Sequence, residues 1–169
     1  MLFRSSAVLI LALIAIGWSM RHGDVEAGTA FDLYQWHKSL GFLALAVTLA
    51  RLFARLVFHA PPAPPTARWE RALAAFVQAL LYVLTLAAVL AGWFLVSSSP
   101  LPIPTRFFNF FVIPNLTGPD PQMFAQATLT HAILGYAIAG LVALHVAGAL
   151  RRQFVTRDGI LWRMSPRWR

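Results

Sequence analysis

Four apolar runs constrain what this chain can fold into. They cover residues 5–20 (SSAVLILALIAIGWSM), 36–58, 72–96 and 127–150. A helix needs about 20 apolar residues to cross the hydrocarbon core of a bilayer, and the last three runs reach that length. The first is shorter and starts "MLFRSS", as a signal peptide does. The "GWSMRHGDVEAG" behind it offers no clean small-x-small cleavage site close behind the apolar core, so the run reads as a retained helix rather than a cleaved signal. Charged residues make up 12% of the chain and hydrophobic ones 59%; a soluble domain would carry about 25% charge. The expectation is an all-α integral membrane four-helix bundle, with one membrane domain over 1–169. Cysteine is absent, which excludes disulfides, thiolate metal sites and iron–sulfur clusters.

The net charge of +8 invites a nucleic-acid reading, but its distribution points to membrane orientation instead. Short loops rich in Lys and Arg stay in the cytoplasm. With the N-terminus inside, Arg4, the connection after the second run and the tail all lie inside. Only Arg21, Lys38 and Arg106 of the fourteen basic residues fall outside, with Asp24, Glu26, Asp32 and Asp120. The topology is therefore N-in/C-in, in a multi-pass membrane protein whose surroundings are the lipid bilayer and no nucleic acid. "HAPPAPPT" (59–66) is a cytoplasmic turn that neither neighbouring helix can enter. The long connection 97–122 contains "FFNFF", which reads as a short re-entrant or amphipathic piece in the interface, a layer aromatics favour.

Ionisable residues inside membrane helices are costly and mark function. Of the five histidines, His37, His131 and His145 lie in the apolar runs. "HKSLGF" (37–42) and "HAILGY" (131–136) share one pattern of His, two variable residues, Leu-Gly and an aromatic. His145 follows His131 by fourteen residues, nearly four full turns, so both leave one face about 21 Å apart. That separation suits no zinc site but does suit two stacked haems. Neutral imidazoles from two facing helices can hold one haem iron from both sides, and the bundle interior buries the apolar porphyrin. Gly41 and Gly135, one turn beyond each His, would let the ring plane approach, and Phe42 and Tyr136 could pack at its edge. The competing reading is that these histidines hydrogen-bond between helices and the glycines serve helix packing. Arg51 shares the face of His37 fourteen residues on, at the depth of His145, where it would suit a haem propionate or snorkel to the interface. His22 and His59 read as surface residues.

The chain resembles the prokaryotic cytochrome b561 family. The resemblance rests on "WHKSLG" and "RLFARL" bounding the second helix, the proline-rich turn, "GW" in the third helix, "HAILGYAIAGLVALHVAGAL" in the fourth, and the tail "FVTRDGILWRMSP". It implies that His37 and His131 clamp an outer haem b, and that His145 holds an inner one with a His from the start of the first helix. That partner is missing, because Phe3 stands at about its position. Gln78 stands where the family has a His in the third helix, and Arg151 and Arg152 where relatives often carry histidines. The inner haem could be five-coordinate, completed by Met1 or the N-terminal amine, liganded by a neighbouring subunit, or lost.

The resemblance implies a bacterial inner-membrane location and single-electron transfer between a periplasmic redox protein and a membrane quinone such as ubiquinone, by an electron carrier or quinone-linked oxidoreductase. The alternative is an accessory or anchoring subunit of a larger respiratory complex. No carboxylate pair, nucleophile triad, nucleotide loop or flavin motif is present, so the redox chemistry would be the haem's own.

Overall fold

Each apolar run forms a helix longer than the run itself. The structure, a computed structural model, describes residues 2–58, 68–101, 103–151 and 154. It contains α1 (Leu2–His22), α2 (Ala27–Val57), α3 (Arg68–Ser98), a small hairpin of β1 (Thr105–Phe107) and β2 (Phe111–Ile113), and α4 (Pro121–Arg151). The "HAPPAPPT" turn, His59, Met1 and all of the basic tail beyond Arg151 except Phe154 lie outside the described residues. Among the described residues, three helices are long and apolar enough to cross a membrane, and α1 is a shorter apolar helix.

At 31 residues each, α2, α3 and α4 measure about 46 Å, well beyond the roughly 30 Å hydrocarbon core. Their surplus turns carry polar residues such as Asp32 and Gln35 of α2 and Glu70 of α3, which suit the headgroup layers. The start of α4 is well marked. Asp120 Oδ1 accepts the N–H groups of Gln122 and Met123, both at 2.9 Å, and Pro121 occupies the first helical position, where no donor is needed.

The interior is built mostly from small residues: Ser39, Ala44 and Thr48 of α2, Thr85 and Ala88 of α3 and Ala127 of α4 are buried, and α4 adds the larger Ile138. Large apolar side chains such as Leu56, Phe53 and Leu144 point outward. Lipid removes the hydrophobic drive between helices, so close backbone approach through small side chains holds the bundle instead. Helix α3 lies along α4, α1 along α2, and α2 touches α3. Among the described residues α2 and α4 share no extended packing, and across this gap their histidines face each other.

The "FFNFF" segment folds as a β-hairpin, an element its aromatic content does not specify. Thr105 pairs with Ile113, Arg106 with Val112 and Phe107 with Phe111. Phe108 (φ 45°) and Asn109 (φ 62°) are both left-handed, and the Phe110 N–H returns to the Phe107 carbonyl at 2.9 Å. Two left-handed residues make the turn whose twist suits a tight hairpin. A bulky Phe in that region is strained by about 1–2 kcal/mol. The restraint comes from α2. Ser39 Oγ donates to the Arg106 carbonyl (2.9 Å) and accepts from the Phe108 N–H (3.0 Å), while Trp36 meets the Phe108 ring edge-on. Gln35 and Lys38 add hydrogen bonds to the Pro104 carbonyl. Gln35, Lys38 and Ser39 lie at i, i+3 and i+4, so one face of α2 anchors the hairpin. On the other flank, Trp93 of α3 donates to the Pro114 carbonyl at 3.0 Å.

Candidate functional site

One turn of α2 both anchors the hairpin and carries His37, which leaves the helix on a different side from Ser39. Its ring faces that of His131 on α4. The ring centroids are 6.0 Å apart and the planes are inclined at 85°. An imidazole nitrogen binds a metal ion at about 2 Å and lies about 1 Å from its ring centre, so two imidazoles on opposite sides of one ion have centres roughly 6 Å apart. The facing pair therefore fits ligation of a single iron from both sides.

The two rings have different surroundings. His131 Nδ1 lies 2.8 Å from the Ala88 carbonyl of α3. A carbonyl only accepts, so Nδ1 carries the proton and Nε2 keeps the lone pair a metal needs. His37 Nδ1 is buried and has no hydrogen-bond partner among the described residues.

Glycines shape the site in two ways. Among the described residues, a Cβ at Gly41 or Gly135 would meet nothing within 4 Å outside its own stretch of helix. No neighbouring helix comes within Cβ distance of these two, which leaves room for a flat ring. Gly17 of α1 and Gly92 of α3 behave differently. A Cβ on Gly17 would lie 3.4 Å from His37 Cε1, and one on Gly92 would lie 3.1 Å from His131 Cε1 and 3.2 Å from its Nδ1. Neither glycine figured in the sequence reading of the site, nor did the Ala88 carbonyl. The available signal was a second echo, the Gly-Trp pairs at 17–18 and 92–93. A backbone carbonyl has no signature in sequence at all.

The two aromatics of the echo do not share a role. Phe42 packs edge-on against Trp93 at 5.2 Å, and Tyr136 is exposed. At the far end of the bundle His145 is exposed, and among the described residues it makes no hydrogen bond or ring contact. Arg51 is half-buried on α2. Arg55, one turn on, donates to Gln78 Oε1 at 2.7 Å and lies over the Tyr82 ring at 5.7 Å, linking α2 to α3. His22 is exposed and stacks on Trp18.

A sequence model of prokaryotic cytochrome b561 matches residues 4–167. The chain belongs to the prokaryotic cytochrome b561 family. Two relatives in Escherichia coli (strain K12) agree with it. Cytochrome b561 homolog 2 is 25% identical over 160 residues, covering 94% of this chain and 84% of that protein. Cytochrome b561 homolog 1 is 27% identical over 165 residues, covering 95% and 88%. The chain is thus a haem b protein of the bacterial inner membrane that crosses the bilayer several times and works in electron transfer. The facing imidazoles, the proton fixed on His131 Nδ1 and the open space at Gly41 and Gly135 all fit that cofactor.

Proposed function

We propose that His37 and His131 are the axial ligands of one haem b near the periplasmic face, and that this cytochrome exchanges single electrons between a periplasmic donor and the quinone pool. The observation that carries this reading is the opposed imidazole pair at 6.0 Å, one ring of which holds its proton on a backbone carbonyl. The arginines of the connections favour N-in/C-in, which puts the hairpin at the periplasmic side.

The haem supplies a one-electron iron couple; the chain's residues bind and orient it. Gly41 and Gly135 leave the slot open, and the helices exclude water from the ligating nitrogens. His145 has no imidazole opposite it among the described residues, so we read one haem per chain, with Arg51 and Arg55 holding the cytoplasmic end. With one site near one face, donor and acceptor both approach the hairpin end, and a quinone dissolved in the bilayer, ubiquinone for instance, reaches that depth laterally.

A pyridine haemochrome assay on purified protein should return one haem per chain; two per chain overturns the single-site reading. Reduction of that haem by quinol or by superoxide supports the carrier role. Failure of both, with respiratory subunits copurifying stoichiometrically in mild detergent, would assign the chain an accessory role in a larger complex.

A further inference from the structure

Helix α3 supplies no imidazole, yet it touches His131 at two points on a single turn. In an α-helix the carbonyl of residue i points toward residue i+4. The Ala88 carbonyl therefore points at position 92, and whatever side chain stands there covers it. Gly92 leaves it bare, so the His131 ring reaches in until Nδ1 is 2.8 Å from the oxygen. A Cβ at position 92 would stand 3.2 Å from that same nitrogen, tighter than ordinary van der Waals contact. The ring would have to move or turn, and the hydrogen bond would lengthen. Trp93 holds the next position in place, through its N–H to the Pro114 carbonyl and its edge contact with Phe42.

We propose that Gly92 and the Ala88 carbonyl form a seat that fixes the tautomer and ring plane of His131, and that Gly17 of α1 gives His37 a looser seat without a hydrogen bond. Gly92, steadied by Trp93, and Gly17 are thus positioning elements on the helices that carry no ligand. This rests on the reading of His37 and His131 as ligands and deepens it. A hydrogen bond from Nδ1 raises the donor strength of Nε2 and locks the ring's rotation. The seat holds the two imidazole planes near perpendicular, at 85°. Ferric haem between perpendicular imidazoles gives a strongly anisotropic low-spin EPR signal, and that signal weakens as the planes turn toward parallel.

The test uses the full chain in detergent, comparing Gly92→Ala, Gly17→Ala and Gly140→Ala by EPR, midpoint potential and haem per chain. Gly140 is the control, since a Cβ there meets nothing within 4 Å. Gly92→Ala should change the low-spin signal and raise the potential, because a less basic imidazole stabilises ferric iron less. Gly17→Ala should change both less, and Gly140→Ala neither. If Gly92→Ala matches Gly140→Ala in signal and potential, the seat is refuted while the ligand reading stands. His131→Ala run in parallel separates the two, since a retained bis-imidazole spectrum there overturns both. Should Gly92→Ala not accumulate, wild-type protein labelled with ¹⁵N-histidine decides by proton ENDOR. A hydrogen-bonded, exchangeable Nδ1 proton on one ligand only supports the seat; equivalent protons on both refute it.

Discussion

His131 and His145 leave the same face of α4 fourteen residues apart, yet they differ in almost every contact. His131 is half-buried, faces His37 at 6.0 Å, and holds a carbonyl of α3. His145 is exposed and, among the described residues, meets none of these. The same contrast runs through the two ends of the bundle. At the hairpin end, Ser39, Gln35, Lys38 and Trp93 tie helices and strands together around the histidine pair. At the far end, Arg55 with Gln78 and Tyr82 is a contact between two helices at an exposed side chain. A histidine on the same helix face thus does not by itself meet an opposing ring. Neighbouring helices must bring an opposing ring, a proton acceptor and room.

The largest expected break of this contrast is ligand removal. His37→Ala or His131→Ala should lose the low-spin haem, whereas His145→Ala should leave haem per chain unchanged in the haemochrome assay. Haem lost from His145→Ala would show that the far end holds a haem after all. Next comes the slot. Gly135→Leu should cut haem content severely while leaving helix content by circular dichroism intact, because position 135 abuts no other helix. Full haem occupancy in that variant would move the porphyrin away from Gly135.

Stability should separate the two ends as well. Ser39→Ala leaves the part-buried Arg106 carbonyl and Phe108 N–H without their partner, which costs about 1–3 kcal/mol. It also releases the strained Phe108 turn. Proteolysis within 105–113 should accelerate, and thermal unfolding in detergent should fall by several degrees. Arg55→Ala at the far end should cost less, about 0.5–1 kcal/mol, since its partner Gln78 can turn to water or headgroups. Equal costs would remove the asymmetry between the ends. The smallest effect concerns the unequal rings. In Gly17→Ser the new Cβ would lie 3.9 Å from His37 Nδ1, and a hydroxyl one bond further can accept its proton. The midpoint potential should then drop slightly. No change on Gly17→Ser, with Gly17→Ala also silent, would show that α1 does not act on His37.

Much of this was legible without coordinates. The apolar runs specify membrane helices, because only a helix satisfies its own backbone in lipid. The His-x-x-Leu-Gly-aromatic echo brought out His37 and His131, whose rings face each other in the structure. The hairpin was not legible. "FFNFF" carries aromatic content without period, and its turn depends on two left-handed residues that Ser39 restrains from 69 positions away. The edge contact of Phe42 with Trp93 was not legible either, because it joins two separate helices.

The sequence by itself determined the apolar spans, the absence of thiol chemistry, the family motifs and the two histidines at matching depth. Each of these is local: a run of residues in lipid must become a helix, and a helix puts residues of known spacing on a known face. Only the tertiary structure decided that His131 finds the Ala88 carbonyl through the gap left by Gly92, and that His37 packs beside Gly17 without a hydrogen-bond partner among the described residues. Those differences arise where four helices meet, and the relative rotation of separate helices is set by packing that no single segment encodes.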